Sequence, residues 1–252
     1  MDPRVESLCR RIEDAGLNAS APPQQRVLDG WVLRFSPGKA KRARCINPIC
    51  AGRMALADKL ALCEQAYADA GLPMIFRVTP FAEPADLDAV LGAAGLAAFD
   101  DTRVMWRRGL DAIADPAPLP LRAVSGDEYA RAVGALRGTP ADQVEAHAQR
   151  LRLSPVPCRG FVHERDGRVV ACGQFALEGT IVGLYDVFTA PEARRQGLAR
   201  ALCARLLRLA HDLGARTAYL QVDAGNHAAR GVYARLGFAN AYAYHCRARA
   251  PT

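Results

Sequence analysis

Two stretches of this chain carry the same punctuation. Pro48, Gly71 and Gly95 stand 23 and 24 positions apart, and Pro191, Gly214 and Gly237 stand 23 and 23 apart. Proline closes an extended run and glycine closes a helix, so each stretch is confined to a strand, a helix, a strand, a shorter helix and a last strand. A repeated plan of this kind predicts a diverged internal duplication, with residues 30–108 matching residues 168–249. The implied fold class is α/β (α+β), a mixed sheet flanked by helices.

The second stretch is the more legible. Gly160 to Glu164 and Arg168 to Phe175 read as strands around Asp166-Gly167, a strong hairpin signal. Ile181 to Thr189 is β-branched and aromatic, and Pro191 ends it. Leu198, Leu202, Leu206, Leu209 and Leu213 then recur at helical spacing, opposite Arg200, Arg205, Arg208 and Asp212, up to Gly214. Thr217 to Val222 alternates as a half-buried strand, Asn226 suits the N-cap of a short helix ending at Gly237, and Phe238 to Arg247 reads as the last strand.

In the first stretch, Trp31 to Phe35 and Ala43 to Ile46 read as strands around Pro37-Gly38. A helix carrying Leu56, Leu60, Leu62 and Tyr67 runs up to Gly71, and a strand, helix and strand follow. Between the halves, Asp111 to Pro120 is proline-rich and reads as a semi-rigid linker. The expected units are therefore 1–112 and 119–252. Helical patterns at Asp127 to Leu136 and Ala141 to Leu151 open the second unit and are expected to flank a substrate cleft.

Composition narrows the class. No run of about 18 apolar residues occurs, and Asp2, Arg4, Glu6 and Arg10 replace the apolar start of a secretory signal. A cytoplasmic protein without a membrane segment is expected. The eight cysteines include no Cys-x-x-Cys pair, which points to neither zinc nor a disulfide framework, so no metal is expected. The net charge of +7 suits an anionic partner. Both signs are interspersed, however, and no basic run alternates with aromatics, so a phosphorylated small ligand accounts for the charge as well as nucleic acid does.

The residues that carry chemistry begin where the strand to Thr189 ends. Arg194-Arg195-Gln196-Gly197-Leu198-Ala199 is a turn opening a helix, followed by Arg200. Free amides and the positive end of the helix dipole form an anion site there, and small residues at 197 and 199 admit a pyrophosphate to the backbone. Downstream, Asn226, Ala229, Tyr233, Gly237 and Phe238 supply a helix cap, a small packing position, an inward tyrosine and a helix stop.

Together these motifs, within about Cys158 to Arg249, resemble the GNAT superfamily of N-acetyltransferases. The family pattern Arg/Gln-x-x-Gly-x-Gly/Ala falls on Arg194, Gly197 and Ala199. The resemblance implies that acetyl-coenzyme A is the acyl donor, its pyrophosphate held by amides from Gln196 to Arg200 with charge from Arg194 and Arg195. It implies that the strand before the turn splays from its neighbour, freeing backbone groups of Val187, Phe188 and Thr189 for the pantetheine and the acetyl carbonyl. Asn226 then approaches the pantetheine arm and Tyr233 the sulfur, as general acid. The first half has Met54 and Leu91 at the positions of Gly197 and Tyr233. It is expected to be a degenerate copy that covers the cleft, shapes the acceptor pocket or mediates association, a homodimer included.

The implied reaction is attack of a neutral primary amine on the thioester in a ternary complex. Its base is expected to be Asp186, an acid inside an apolar strand, followed by Glu164, with a water chain as the other route. A non-catalytic acyl-coenzyme A sensor is the alternative that retains the turn without needing Tyr233.

Overall fold

The computed structural model describes residues 2–38, 40–113 and 119–249. The first helix, α1 (Pro3–Asn18), is opened by Asp2, whose carboxylate accepts the Arg4 amide at 2.8 Å, and by Pro3 in its first turn. Two short strands follow, β1 (Gln25–Leu28) and β2 (Trp31–Arg34), joined at Asp29-Gly30 with both residues at positive φ. Asp29-Gly30 is thus a hairpin turn the sequence reading did not include, while Pro37-Gly38 lies, as expected, in the connection between two antiparallel strands, β2 and the strand that follows. An Asp-Gly pair adopts the left-handed conformation that a two-residue hairpin requires, and a Pro-Gly pair does not supply two such residues. Residues Lys41–Ala43 form a 3-10 turn, and the strand expected over Ala43 to Ile46 lies instead at β3 (Ile46–Pro48).

The rest of the first half is α2 (Leu56–Asp69), β4 (Ile75–Val78), α3 (Leu87–Ala93) and β5 (Ala97–Arg108). Most of the expected linker, residues 114–118, falls outside the described residues. The second half opens with β6 (Arg122–Val124), α4 (Gly126–Arg137) and α5 (Ala141–Arg152). It continues with β7 (Cys158–Arg165), β8 (Arg168–Glu178), β9 (Ile181–Thr189) and α6 (Leu198–Asp212). Then come β10 (Thr217–Asp223), α7 (His227–Arg235) and β11 (Ala239–Ala248).

Among the described residues, eleven strands form one sheet, in the order β1-β2-β3-β4-β11-β5-β10-β9-β8-β7-β6. The pairings repeat about its centre. β1-β2-β3 and β7-β8-β9 are antiparallel, and β3-β4 and β9-β10 are parallel. Each half then gives its last strand to the other: β11 pairs with β4, β5 pairs with β10, and β5 and β11 pair with each other, all antiparallel. The matched order of elements and pairings makes the halves two copies of one plan.

Separate apolar cores lie on either side of the central pair. Trp31, Phe76, Leu87 and Leu91 pack in the first half, and Phe175, Leu202, Leu206 and Leu220 in the second. Among the described residues no helix is long and apolar enough to cross a membrane.

A buried polar cluster ties the seam. Glu13 of α1 forms a two-point ion pair with Arg77 of β4, one contact at 3.0 Å, and accepts the Tyr242 hydroxyl of β11 at 2.7 Å. The Arg77 guanidinium also lies 3.8 Å over the Tyr244 ring. Burial opposes the Glu13 charge, but Arg77 and Tyr242 outweigh it and hold the carboxyl below the ordinary glutamate value. Glu13→Gln leaves Arg77 buried without its counter-charge and should lower the unfolding free energy by about 3–5 kcal/mol, read by urea denaturation at neutral pH. A group with a lowered folded pKa stabilises fully above its unfolded value, near ~4.3, and loses that contribution as pH falls through the folded value. The gap between wild type and variant should accordingly close in acid.

Candidate active site

The site forms where two parallel strands part. β9 and β10 pair from Ile181 with Thr217 to Leu184 with Leu220, and no further, although β9 runs on to Thr189 and β10 to Asp223. Beyond Leu184, backbone groups of β9 that point away from β8 have no strand partner. A bulge enforces the parting. Tyr185 faces Gln174 and Phe188 faces Cys172, so Asp186 and Val187 together oppose the single residue Gly173. Asp186 takes φ +49 to make this bend.

β9 leads through Pro191 into the expected turn. Gly197 sits at the N-cap of α6 with φ +78, a conformation that glycine adopts without strain. No side chain caps this helix, so the amides of its first turn are available to an anion. Arg194 donates to the Thr189 carbonyl at 3.2 Å and lies 5.6 Å over the Phe188 ring, while Gln196 accepts from Arg165 at 2.9 Å. Arg195 and Arg200 are exposed beside the turn, and Leu198 is buried beneath it.

The matching turn of the first half is already filled. Asp29 accepts the amides of Arg53 and Met54 at 2.9 and 3.0 Å, and Lys59 pairs with it at 3.1 Å. Those two hydrogen bonds hold the Asp29 carboxyl down at about 2. A carboxylate of the chain itself thus occupies the donors that an external anion would need.

A cavity of about 510 Å³ opens from the parted strands and is lined by both halves. Val187, Asn226 and Tyr233 line it from the second half, and Ser36, Gly38 and Arg42 from the first. Asn226 caps α7, accepting the Ala229 amide at 3.1 Å. Tyr233 packs against Phe238, and its hydroxyl has no hydrogen-bond partner among the described residues. Burial, with Cys203 adding, raises its pKa, so it stays protonated at neutral pH. Tyr185, the other tyrosine lining the cavity, has its hydroxyl engaged with Tyr219.

The structure separates the two acids singled out as bases. Asp186 lines the cavity, where it accepts from Arg137 at 3.0 Å and from Gln174 at 3.0 Å. Burial works against its charge, yet Arg137, ahead of His147 and Arg150, keeps the carboxyl below the ordinary aspartate value. Glu164 is exposed and absent from the cavity lining, paired with Arg122 at 2.6 Å.

Sequence reasoning passed over His147. Its Nε2 lies 3.5 Å from Asp186 Oδ2 and is buried without a hydrogen-bond partner. Burial, then Arg150 and Arg137, push the imidazole down to about 4 against the pull of Asp186, so it is neutral near pH 7. Gln143, His147 and Arg150 all line the cavity from α5. Their spacing of four and then three is the signal that could have shown one polar helical face turned inward.

Residues 123–238 match the acetyltransferase (GNAT) family. This segment resembles the GNAT acetyltransferases, and the match supports an enzyme of the acyltransferase type. Over 86 residues the chain is 42% identical to the mycothiol acetyltransferase of Streptomyces avermitilis, a match spanning 33% of this chain and 28% of that protein. The structure resembles a GCN5-related N-acetyltransferase from Kribbella flavida, with TM-score 0.69 at 20% identity over 96% of this chain and 95% of the other. It also resembles a tandem GNAT protein from the clavulanic acid biosynthesis pathway, with TM-score 0.64 at 18% identity over 94% and 88%. These two likenesses establish a shared GNAT fold along the whole chain.

The electrostatics of this candidate site are open to measurement. A histidine-detected NMR titration should find His147 changing charge at about 4. Arg150→Ala should move that value up, because a repelling cation is removed, and Asp186→Asn should move it down, because an attracting anion is lost.

Proposed function

We propose that the protein transfers the acetyl group of acetyl-coenzyme A to a primary amine, by direct attack in a ternary complex at the cavity between α5, β9 and α7. The observation that carries this reading is the continuity of one strand with the cavity and the turn. Val187 and Tyr233 line one cavity, and β9 runs on from Val187, beyond its last pairing with β10, to Thr189 and the uncapped turn at Gly197. Each part meets one chemical need of a long phosphorylated thioester.

Amides from Gln196 to Arg200, with Arg194 and Arg195, hold the pyrophosphate. The free backbone edge at Val187, Phe188 and Thr189 takes the pantetheine amides and polarises the acetyl carbonyl. Preorganised donors of this kind contribute about 100-fold or more in rate, because they already point where the oxyanion forms. Asn226 borders the pantetheine arm. Tyr233 gives its proton to the departing thiolate, whose acid has a reference pKa near ~8.5.

The proton lost by the amine goes to His147. A neutral imidazole with an unpartnered nitrogen can receive it, whereas Asp186, held low by Arg137, is suited to orienting that imidazole. Glu164, committed to Arg122 outside the cavity, is left without a part in this scheme. Direct transfer is favoured over an acetyl-enzyme by the state of Cys158. This thiol lines the cavity, but burial pushes it up to about 11, which leaves almost no thiolate at neutral pH.

The division into units 1–112 and 119–252 belongs to the same reading. The second unit carries the coenzyme turn, and the first closes the acceptor side of the cavity. With Asp29 on the matching amides of the first unit, one acetyl-coenzyme A binds per chain.

Calorimetric titration with acetyl-coenzyme A should give a stoichiometry of one, and a thiol-release assay over an amine panel should detect turnover. Failure to bind any acyl-coenzyme A would refute the reading. Tyr233→Phe should lower kcat by roughly 100- to 10,000-fold while the dissociation constant for acetyl-coenzyme A changes little.

A further inference from the structure

The acceptor end of the cavity holds more positive charge than its own residues answer. Of the cavity arginines, Arg137 is paired with Asp186. Arg150 has no ion-pair or hydrogen-bond partner among the described residues. Arg42 makes no ion pair among them either; its hydrogen bonds go to the neutral groups Gln221 Oε1 and Ser20 Oγ, and its guanidinium lies 5.6 Å over the Tyr185 ring. The remaining cavity carboxylate, Asp223, is exposed and accepts the Gly225 amide at 2.8 Å. Asp186 feels Arg150 only at a distance and is in contact with Arg137, so two partly buried guanidiniums face the cavity without a carboxylate in contact, which is costly unless a ligand supplies the anion.

Their position fits the acceptor rather than the coenzyme phosphates. Arg42 stacks on Tyr185 and bonds Gln221, the first residues beyond the last paired rungs Leu184 and Leu220. Tyr185 is four residues before Thr189, about 13 Å along an extended strand from the end that leads to the anion turn. Next to Arg150 on the same helical face, His147 Nε2 and Gln143 Oε1 are buried polar atoms with no hydrogen-bond partner. Both can accept an N–H.

Resting on the acetyl-transfer reading, we propose that the acceptor is an amine bearing an oxyanion group, a carboxylate or a phosphate. Arg42 and Arg150 hold the oxyanion, and Gln143 and His147 receive the amine. A guanidinium suits both oxyanions, since its parallel N–H donors match two oxygens at once. Arg150 is then a specificity-determining residue contributed by α5, and Arg42 one contributed by the first half of the chain. The first half would thus select the acceptor while carrying no coenzyme.

The test is steady-state acetylation, by thiol release, of matched pairs: an α-amino acid and its amide, phosphoethanolamine and ethanolamine, and spermidine as a polycation. The oxyanion member should exceed its neutral partner in kcat/KM by at least ~10-fold, and the better of the two oxyanions identifies the group. Arg150→Ala should raise the KM for that acceptor by roughly 10-fold or more, with the KM for acetyl-coenzyme A changing less than about twofold and Arg150→Lys restoring part of the loss. Arg150 has no internal partner to strand, so the variant should fold as the parent does, checked by its melting temperature. Preference for ethanolamine, the amide or spermidine, or discrimination unaltered in Arg150→Ala, would overturn the acceptor class while leaving acetyl transfer standing. Absence of acetyl-coenzyme A binding in the wild type would instead overturn the acetyl-transfer reading, and this proposal with it.

Discussion

The antiparallel pairing of β5 with β11 is the contact on which the rest of the molecule depends. Each strand is the last of its half, and each is inserted between the other half's penultimate strand and its own counterpart. Neither half can complete its sheet alone. An unpaired edge would remain beside β4 or β10, and burial of such an edge without partners is costly. The Glu13-Arg77-Tyr242 cluster is placed at this crossing, where an element from before the first sheet meets strands from both halves. An ion pair that deep adds little over an apolar replacement, but it tolerates few alternative registers, which suits a place where two similar strands could exchange places.

The exchange also sets the geometry of the site. β10 is held on one side by β5, so it cannot follow β9 after Leu220, and the bulge at Asp186 bends β9 away on the other. The gap between them is the cavity, and its wall on the far side comes from the loop around Ser36 and Gly38 and from Arg42. The first half therefore supplies both a sheet neighbour and a cavity wall to the second. This accounts for how a duplicated chain can let one copy diverge at its anion turn and still retain it.

Much of this was legible in the residues. The helix of Leu198 to Leu213, the cap at Asn226 and the hairpin at Asp166-Gly167 follow from local rules, and they appear as α6, the start of α7 and the β7-β8 turn. What could not be read depends on contacts far apart in the chain. The strand exchange leaves no periodic trace, because β5 and β11 alternate in the same way whichever neighbour they pair with. His147 and Asp186 are 39 positions apart, and nothing short of the fold places them together. The first-half hairpin was missed for a different reason. Asp29-Gly30 is as strong a turn signal as Asp166-Gly167, but the strands flanking it are only four residues each, too short for alternation to stand out.

The two Asp-Gly turns carry the comparison one step further. Both sit at the first hairpin of their half, and both are close in sequence to the anion turn that follows. In the first half the aspartate reaches the amides of Arg53 and Met54, where its two oxygens sit on the donors in the manner of a bound oxyanion. In the second half the contact is made one residue earlier, by Arg165 to Gln196, which leaves the amides beyond it unclaimed and adds a positive charge beside them. The same local architecture has thus been given opposite electrostatic signs. With a carboxylate of its own, the first turn is closed to anions and serves the stability of its loop. With the Arg165 guanidinium beside it and its first-turn amides uncapped, the second turn presents a positive potential. What separates the two turns electrostatically is which residue of the hairpin reaches them, Asp29 in the first half and Arg165, beside the retained Asp166, in the second.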